Sequence, residues 1–345
     1  MNIIKNKTIF VTGGTGSFGS MFVRQLLDNY SPKEIIIYSR DEDKQGAMRL
    51  EYKNESRLRF MLGDIRDFDA LYESMRGAEI VVHAAALKWI PEVEHNVWQG
   101  VLTNVVGAQN IIRAARDLNV EKVIALSTDK AVEPVNAYGM TKALQERLIT
   151  TANFYDNGNR TIFVSTRYGN VLGSRGSVVP LFRSLLDQGK PITVTDPKMT
   201  RFIMTLKDSV KLVLKAMEEG VGGEVFVKKM PGHTIGDLAE IMVEDFSKNR
   251  QKIQVIGKRP GEKIHEDLLS AAEGERTIEL DDYYVVLPQI SIPETEKKYK
   301  KYKKIGSTRY GSDNTKRLSK TELKKILKGE GWLENKDEIA LKVAY

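Results

Sequence analysis

The first 130 residues alternate short apolar runs with segments in which apolar residues recur at helical spacing. Residues 34–38 form a run around three isoleucines, which is typical of a strand buried on both faces of a parallel sheet. Further strands are predicted over residues 7–12, 59–62, 79–84, 122–127 and 161–167, with a first helix over 20–28. This alternation predicts an α/β fold, a Rossmann-like doubly wound parallel sheet with helices on both faces.

Beyond residue 170 the pattern is less regular and predicts a smaller α/β substrate-binding region beside the sheet. Helices are predicted over 180–188, 207–219 and 235–246, and short strands over 191–195, 224–227 and 253–256. Ser319 and Glu322 have the spacing of a capping box that opens a last helix. We therefore expect three parts: a dinucleotide-binding domain over 1–170 to which 200–220 returns, a substrate-binding region over 171–199 and 221–290, and a basic segment with a helix over 291–345.

Composition narrows the class of protein without identifying it. Hydrophobic residues make up 41% and charged residues 29% of the 345 residues, which is ordinary for a globular chain with a large core. The chain has no cysteine, so disulfides and thiolate metal sites are excluded, and its four histidines share no metal-ligand spacing. No apolar run reaches the roughly 20 residues of a membrane span, and residues 1–5 do not resemble a secretory leader. We expect a cytoplasmic protein without a metal.

The net charge of +7 is concentrated in a lysine- and tyrosine-rich run over residues 296–304. Such a run can bind nucleic acid or an anionic surface. We interpret it as a solvated, mobile segment, and expect neither nucleic acid nor membrane as a partner. The basic balance also suits a polyanionic substrate such as a nucleotide diphosphate.

A glycine-rich turn follows the first predicted strand and opens the first helix. Gly14, Gly16 and Gly19 have the spacing of a dinucleotide-binding fingerprint. Small residues let the backbone approach a pyrophosphate, which then lies at the positive N-terminus of the helix. The sequence therefore predicts a nicotinamide dinucleotide held by Gly13, Thr15, Gly16, Ser17, Phe18 and Gly19.

The end of the second strand bears on which dinucleotide is bound. Arg40 and Lys44 suit a 2′-phosphate, with Ser39 as a further donor, and so predict NADP. The nearby Asp41 suits a ribose 2′-hydroxyl instead, which leaves NAD as the second choice. Asp64, with Ile65 beside it, follows the third strand, where a carboxylate can accept from the exocyclic amine of adenine.

Two acid/base couples follow the fifth strand. Tyr138 and Lys142 lie four residues apart on one predicted helix face, where a lysine ammonium lowers a phenol pKa that is otherwise about 10. A phenolate can then take an alcohol proton while hydride leaves the same carbon. Asp129 and Lys130 form a second couple, which a plain alcohol oxidation does not need. We therefore expect oxidation to be the first step of a longer reaction, as in the dehydration of a nucleotide sugar.

With the glycine-rich turn, these residues resemble the extended short-chain dehydrogenase/reductase superfamily over nearly the whole chain. Within it, the chain is most similar to the inverting UDP-N-acetylglucosamine 4,6-dehydratases that open pseudaminic acid synthesis. The stretches that carry this closer resemblance are Ala84-Ala85-Ala86-Leu87-Lys88, Ser127-Thr128-Asp129-Lys130-Ala131, Arg167-Tyr168-Gly169-Asn170-Val171, Gly173-Ser174-Arg175-Gly176-Ser177, Met199-Thr200-Arg201-Phe202 and Arg259-Pro260-Gly261-Glu262-Lys263.

The resemblance implies a mechanism. Tyr138 would take the proton of the 4-hydroxyl as hydride moves from C4 to NADP. Lys130, if burial near Lys142 and arginine side chains keeps it neutral, would then remove the C5 proton. A protonated Asp129 would release the 6-hydroxyl as water, and hydride would return to C6. Reprotonation of C5 from the opposite face gives UDP-2-acetamido-2,6-dideoxy-β-L-arabino-hexos-4-ulose, whereas retaining enzymes carry Asp-Glu in place of Asp-Lys.

The resemblance also implies further contacts and a homo-oligomer, up to a hexamer. The implied cofactor contacts are Ala84, Ala86, Lys88 and Asn104, in addition to Tyr138 and Lys142. The implied contacts of a UDP-sugar are Lys88, Thr128, Asn170, Val178, Arg201, Arg259 and Glu262. Arginine can bind a diphosphate with two hydrogen bonds, and the apolar residues 178–182 would cover uracil.

Three alternatives stay open at this point. An NAD(P)-dependent UDP-hexose 4-epimerase shares the fold, the glycine-rich turn and the Tyr138/Lys142 pair, but has no need of Asp129 and Lys130. A retaining 4,6-dehydratase is the second alternative. A scaffold that merely binds NADP would leave Tyr138, Lys142 and Asp129 unexplained.

Overall fold

The apolar runs of the sequence form strands, and the segments of helical periodicity form the helices between them. The computed structural model describes residues 3–154, 161–246 and 251–333. The strands are β1 Thr8–Thr12, β2 Glu34–Ser39, β3 Leu58–Leu62, β4 Ile80–His83, β5 Lys122–Leu126, β6 Ile162–Arg167, β7 Asn170–Val171, β8 Ile192–Val194, β9 Thr200–Met204, β10 Val225–Lys228, β11 Gly232–Thr234, β12 Ile253–Val255, β13 Asp267–Leu269, β14 Thr277–Glu279, β15 Tyr283–Val286 and β16 Tyr310–Gly311.

The helices cover both faces of the main sheet and build much of the smaller region. They are α1 Ser17–Asn29, α2 Glu42–Glu51, α3 Phe68–Met75, α4 Ile90–His95, α5 Val97–Gly100, α6 Gly107–Asp117, α7 Ala137–Ala152, α8 Val178–Asp187, α9 Leu206–Glu219, α10 Ile235–Phe246, α11 Ala271–Gly274, α12 Pro293–Tyr299 and α13 Lys320–Gly329. A π-helix spans Val101–Val106, and a 3-10 turn spans Asp129–Ala131. Within the described residues, no helix has the length and apolar content needed to cross a bilayer.

The main sheet has nine strands in the order β14-β15-β10-β6-β5-β4-β1-β2-β3. From β3 to β10 all neighbours are parallel, whereas β15 runs antiparallel to both β10 and β14. This arrangement confirms the predicted Rossmann-like fold. The strand order reverses between β1 and β4, and in such sheets a ligand crevice lies at the carboxyl ends of the strands at this point.

Both faces of the sheet are buried, which explains why its strands are continuous apolar runs. Ile9 and Val11 of β1 pack into the core on one face, which includes buried residues of α1 and α9. Phe10, between them, packs into the core on the other face, with residues of α3 and α6. Successive side chains of a strand point to opposite faces, so a strand covered on both sides has no polar alternation.

The smaller region has its own core and small sheets. Its sheets are β11-β9-β7, β12-β8 and β13-β16, and its core includes residues of α8, α10 and α13 with Trp332. The capping box is confirmed, because the Ser319 hydroxyl accepts from the Glu322 backbone N–H while the Glu322 carboxylate accepts from Ser319. The proposed boundaries between the parts stay a prediction, and residues 334–345 of the expected C-terminal part lie outside the described residues.

The structure corrects several sequence-based expectations about this part of the chain. Strands β14 and β15, in the range expected to belong to the smaller region, extend the main sheet. The strand expected over 224–227 in the smaller region is β10, which pairs with β6 in the main sheet because α9 crosses the sheet and returns the chain to its edge. The lysine- and tyrosine-rich run was expected to be solvated, but Tyr299 is only 4% exposed and its hydroxyl lies 3.4 Å from Glu224 Oε1. The Tyr299 ring therefore contributes to the core.

Arg167, at the end of β6, ties the sheet to α7 and α11. Its guanidinium donates to both carboxylate oxygens of Glu146 at 2.9 and 2.6 Å, and to both of Glu273 at 2.8 and 2.9 Å. Burial alone raises the pKa of Glu273, but the charge and hydrogen bonds of Arg167 outweigh it and lower this pKa to about 2. The network is buried and fully paired.

We expect Arg167→Met to lower the free energy of unfolding by about 3–5 kcal/mol, because it leaves two buried carboxylates without their partner. The matched control is Arg76→Met, which breaks the exposed pair with Glu73 and should cost less than about 1 kcal/mol. Urea denaturation of both variants tests this. Equally small losses of unfolding free energy in the two variants would contradict the expectation that Arg167 stabilises the contact of the sheet with α7 and α11.

Candidate active site

The glycine-rich turn joins β1 to α1 at the edge of the sheet where the parallel strands end. Gly13 has a positive φ of 65°, and a Cβ added to it would lie 2.9 Å from the Ala85 backbone N. A Cβ on Gly19 would lie 2.5 Å from the Gly13 carbonyl oxygen. Gly16 is the N-cap of α1 and supplies no side-chain cap. The first N–H groups of this helix are therefore open to an anion, and the backbone can approach it closely.

The predicted side chains of this turn surround the helix start. The Thr15 hydroxyl donates to Ser39 Oγ at 3.2 Å, which connects the turn to the end of β2. The Ser17 hydroxyl accepts from the Arg175 backbone N–H at 3.1 Å. The Phe18 ring stacks on Phe22 of α1, with ring centroids 5.6 Å apart. The turn therefore contacts both the second strand and the smaller region.

The acids near the ends of β2 and β3 are paired with cations. Asp41 caps α2 by accepting from the Lys44 backbone N–H at 3.0 Å and also pairs with the Lys44 ammonium, which lowers the Asp41 pKa. Asp64 accepts from the Arg66 side chain at 2.9 and 2.6 Å. Arg40 lies 3.7 Å from Asp64, and its side chain is 56% exposed. Arg40 is thus the most exposed of these three cations.

The segment after β4 lies against the glycine-rich turn and is held by hydrogen bonds with Thr12 and Asn104. The Ala84 and Ala85 N–H groups donate to Thr12 Oγ1 at 3.1 and 3.2 Å. Asn104, on the π-helix, accepts from the Leu87 N–H and donates to the Leu87 carbonyl, both at 2.9 Å. The Asn104 amide is fully buried and also donates to Thr141 of α7 at 3.0 Å. Asn104 therefore holds the segment carrying Ala84, Ala86 and Lys88. On the other side, Ile65 packs in the core under α6.

The Tyr138 and Lys142 pair lies on α7, which begins after the Asn136 N-cap. Lys142 donates to the Leu126 carbonyl at 2.7 Å and to Gln145 Oε1 at 2.5 Å. Burial lowers the pKa of Lys142 to about 7, against the charge of Glu146. Burial also raises the pKa of Tyr138 to about 12, although the charge of Lys130 and a hydrogen bond with Thr128 act in the opposite direction. The expectation that Lys142 lowers the Tyr138 pKa is therefore wrong in this arrangement, because the Lys142 amino group is bound to β5.

The second couple lies directly beside Tyr138. Asp129 is fully buried, and its Oδ1 accepts from the Lys130 ammonium at 2.9 Å and from the Thr128 hydroxyl at 2.8 Å. Lys130 also lies 3.6 Å from Glu266 Oε1. Burial alone lowers the Lys130 pKa, but the charges of Asp129 and Glu266 outweigh it and raise the pKa above its ordinary value. The expected neutral Lys130 is therefore wrong in this arrangement, because two carboxylates keep its proton in place.

The predicted substrate contacts from the main domain include Asn170 and Lys88. Asn170 begins β7, and its Oδ1 is buried without a hydrogen-bond partner among the described residues. Asp129 Oδ2 is a second buried oxygen of this kind. Lys88 lies near both the turn and the couple, since desolvation and the charges of Arg175 and Lys130 lower its pKa. Two buried oxygens without described partners fit a site that binds hydroxyl groups.

The remaining predicted substrate contacts, Arg201 from the segment expected to return to the main domain and three residues from the smaller region, differ in their surroundings. Arg201 of β9 is bound to its own chain, donating to the carbonyls of Thr200, Ile264 and Lys263 at 2.7, 3.1 and 3.1 Å. Val178 starts α8 and is half-buried. Arg259 is exposed, with its N–H 3.4 Å from Glu262 Oε2.

The loop of Arg259 and Glu262 packs against the N-terminus of α7. Asn136, the N-cap of α7, donates to the Gly261 carbonyl at 2.9 Å, and Lys263 donates to the Val132 carbonyl at 2.8 Å. Gly261 has a positive φ of 78°, which glycine adopts without strain. The loop that carries Arg259 and Glu262 is therefore tied to the start of α7 and to the segment just before it.

Sequence reasoning missed two residues that the fold brings to the site. Arg175 donates to the Thr15 carbonyl at 3.0 Å and so reaches the glycine-rich turn from the smaller region. Glu266 lies beside Lys130. Arg175 belongs to a quoted motif and could have been found there, whereas nothing in the local sequence distinguishes Glu266 from a surface glutamate.

A family model described as polysaccharide biosynthesis protein matches residues 9–288. The chain belongs to this family. It lies within the extended short-chain dehydrogenase/reductase superfamily, as the motifs indicated. The family match covers the main sheet, both acid/base couples and most of the smaller region.

Curated relatives of this family member include proteins named as dehydratases and proteins named as epimerases. A Campylobacter jejuni protein named UDP-N-acetylglucosamine 4,6-dehydratase (inverting) is 45% identical over 295 residues, covering 85% of this chain and 86% of that protein. A Rickettsia akari protein named UDP-glucose 4-epimerase is 46% identical over 332 residues, covering 93% and 95%. Among solved structures, Pen from Bacillus thuringiensis is 37% identical with a TM-score of 0.89, covering 95% of this chain and 99% of that one.

The buried Lys142 makes the stability of this family member depend on pH. Its pKa is about 7 in the folded chain, against about 10.4 when exposed. Between these values the unfolded chain binds more protons, so the Lys142 contribution to stability rises with pH. We expect Lys142→Met to stabilise the protein most at pH 7 and below. That advantage should shrink toward pH 10 by at most about 1.4 kcal/mol per unit.

Urea denaturation between pH 6 and pH 10 tests this expectation about Lys142. The matched control is Lys198→Met, which removes an exposed lysine and should leave the pH dependence as in the parent protein. If the free energy of unfolding depends on pH in the same way in the parent and in Lys142→Met, burial does not lower the pKa of Lys142, and the expectation is wrong.

Proposed function

We propose that this chain is a UDP-N-acetylglucosamine 4,6-dehydratase that inverts C5 and so makes UDP-2-acetamido-2,6-dideoxy-β-L-arabino-hexos-4-ulose. The observation that carries the proposal is the buried contact of 2.9 Å between Lys130 and Asp129, next to Tyr138. The Campylobacter jejuni relative with the matching name supports the substrate and the outcome. The coarser conclusion, an enzyme acting on nucleotide sugars, is common to the dehydratase and epimerase relatives.

The turn between β1 and α1 fits a nicotinamide dinucleotide, because the N-cap Gly16 supplies no side-chain cap and leaves the first N–H groups of α1 for a pyrophosphate. Such a cofactor, when bound, accepts hydride from C4 of the sugar and returns it to C6. Tyr138 would take the proton of the 4-hydroxyl as the phenolate, a form that the positive charge of a bound oxidised nicotinamide would favour. Lys142 holds the end of β5 in place. Oxidation at C4 acidifies the C5 proton and prepares the elimination.

A single proton transfer supplies both the base and the acid of that elimination. When the proton of Lys130 moves to Asp129 Oδ1, Lys130 becomes a neutral amine and Asp129 a neutral acid. Lys130 then takes the C5 proton, while Asp129 gives its proton to the departing 6-hydroxyl, which leaves as water. Exclusion of water by a bound sugar favours the neutral pair over the ion pair, since charges are costly in a poorly solvated site.

The epimerase alternative rests on the Rickettsia akari relative. Epimerisation needs only oxidation at C4 and return of hydride to C4, which Tyr138 and the cofactor can perform. Burying the charges of Asp129 and Lys130 costs folding free energy. A dehydratase needs this pair for the elimination of water, whereas an epimerase has no step that needs it. A retaining dehydratase is the weaker alternative, because the base position holds Lys130 in place of a glutamate.

We propose NADP as the cofactor. Asp41 and Asp64 are both engaged by cations, whereas Arg40 is half exposed at the same edge and can meet a 2′-phosphate. Lys44 is paired with Asp41 and would have to leave that carboxylate in order to bind the 2′-phosphate together with Arg40. This distribution of charge supports NADP over NAD.

We also propose a homo-oligomer in the cytoplasm, up to a hexamer. Large apolar side chains are exposed close together in sequence, with Trp98 at 65% and Trp89 at 56% exposure. Met140 and Leu144, on one face of α7, are exposed as well. Exposed apolar surface of this kind marks an association site. The cysteine-free composition fits a reducing compartment.

The reaction is tested by incubating the protein with UDP-N-acetylglucosamine and NADP in heavy water, followed by mass spectrometry and proton NMR. We expect loss of one water, solvent deuterium at C5 and inverted coupling there. Retained C5 configuration would mean a retaining dehydratase, and an isomer without loss of water would mean an epimerase. Lys130→Ala should slow C5 deuteration by about 10²–10⁴-fold, and Tyr138→Phe should also stop C4 oxidation.

The cofactor preference is tested with Arg40→Ala. We expect the dissociation constant for NADP to rise about tenfold or more and that for NAD to stay the same, because only NADP carries the 2′-phosphate. Fluorescence titration with each cofactor measures both constants. The matched control is Arg49→Ala on α2, whose guanidinium lies over the Phe60 ring. Equal weakening of both cofactors by Arg40→Ala would contradict the proposed role.

A further inference from the structure

Glu266 is a buried carboxylate immediately before β13, in contact with the second acid/base couple. It is 4% exposed, and its backbone is fixed by two hydrogen bonds with Ser312, at 2.9 and 2.8 Å. Its Oε1 lies 3.6 Å from Lys130 Nζ and 3.9 Å from Arg201 Nε. Its Oε2 is buried without a hydrogen-bond partner among the described residues.

This arrangement differs from that of a structural carboxylate in the same protein. Both oxygens of Glu273 accept hydrogen bonds from Arg167, at 2.8 and 2.9 Å. Arg201 instead gives its hydrogen bonds to backbone carbonyls, so Glu266 has only longer contacts with the cations near it. A buried carboxylate left this way costs folding free energy, which is typical of functional sites.

The charges around the pair come from several elements. The 3-10 turn contributes Asp129, β9 contributes Arg201, the loop before β13 contributes Lys263, and the segment after β4 contributes Lys88. Tyr138 faces Lys130 from α7. Burial raises the pKa of Glu266, and the charge of Lys130 opposes that shift. Among these groups only Asp129 and Glu266 are acids that favour the ammonium form of Lys130.

We propose that Glu266 is a positioning residue of this site, whose carboxylate holds the Lys130 amino group in place and sets how readily it gives up its proton. This inference rests on the proposed function, in which Lys130 is the base at C5. With Glu266 ionised, Lys130 keeps its proton until a sugar is bound. Transfer of that proton to Asp129 then makes the amine, and the ammonium that forms again on taking the C5 proton is stabilised by Glu266.

The first test measures C5 deuteration against pH in the full-length protein with NADP and UDP-N-acetylglucosamine. Glu266→Gln removes the charge at nearly constant volume, so Lys130 should become a base at lower pH. We expect the midpoint of the profile to move down by about one pH unit, while the rate of C4 oxidation, followed by cofactor absorbance, changes less than about twofold. In Glu266→Asp the midpoint should move in the same direction by a smaller amount, because a carboxylate is still present near Lys130. The matched control, Glu279→Gln, removes an exposed partner of Lys229 and should leave the profile unchanged.

The second test does not depend on turnover. Lysine labelled with ¹⁵N at Nζ gives an NMR signal for Lys130, assigned by its loss in Lys130→Met. In Glu266→Gln this signal should titrate at lower pH than in the parent protein, and in Glu266→Asp the change should be smaller and in the same direction. If the parent does not dehydrate the sugar, the proposed function fails, while this titration still decides whether Glu266 controls Lys130.

Three results would overturn the inference. The first is a Lys130 titration that Glu266→Gln leaves unchanged. The second is a C5 deuteration profile that stays in place although the Lys130 titration moves. The third is an equal loss of C4 oxidation and C5 deuteration with no change in either midpoint, which would assign Glu266 a structural role only. If Glu266→Gln does not fold, Glu266→Asp decides among the same results.

Discussion

The buried ion pair between Lys130 and Asp129 is the interaction on which the candidate site depends. It lies directly after β5, where the Asp129 N–H donates to the Tyr168 carbonyl at 3.0 Å and so anchors the couple between neighbouring strands. Removing two charges from water costs several kcal/mol per ion, and their attraction offsets this only with good geometry. Holding such a pair beside Tyr138 therefore costs the fold free energy of unfolding. In return, the site contains two groups, Lys130 and Asp129, between which one proton can move.

The rest of the structure places that pair beside the crevice of the main sheet. The reversal of strand order beside β1 opens the crevice, and the glycine-rich turn makes one side of it. The contacts that join the smaller region to the crevice include those of Arg175 with Thr15, of Lys263 with Val132, and of Asn136 with the loop at Gly261. These contacts join the turn, the 3-10 segment and α7 to the smaller region, so the residues of the candidate site come from both parts of the chain.

Much of the fold could be predicted because it is encoded locally. Strands such as β1 and β2 are covered on both faces and are therefore continuous apolar runs, and the glycine-rich turn needs backbone conformations that only nearby residues determine. One exception is β10, whose short apolar run has the same pattern in either region. Its place depends on pairing with β6, a contact between segments far apart in the chain, and periodicity does not report such pairing.

The sequence by itself determined the class of fold, the dinucleotide turn and the residue types of both acid/base couples, because each depends on neighbouring residues. Only the tertiary structure decided the charges within the site. Lys142 lies against β5 and loses its affinity for a proton, whereas Lys130 lies between Asp129 and Glu266 and gains it. The physical reason is that a pKa depends on burial and on charges within a few ångströms, and Glu266 comes that close to Lys130 only when the chain has folded.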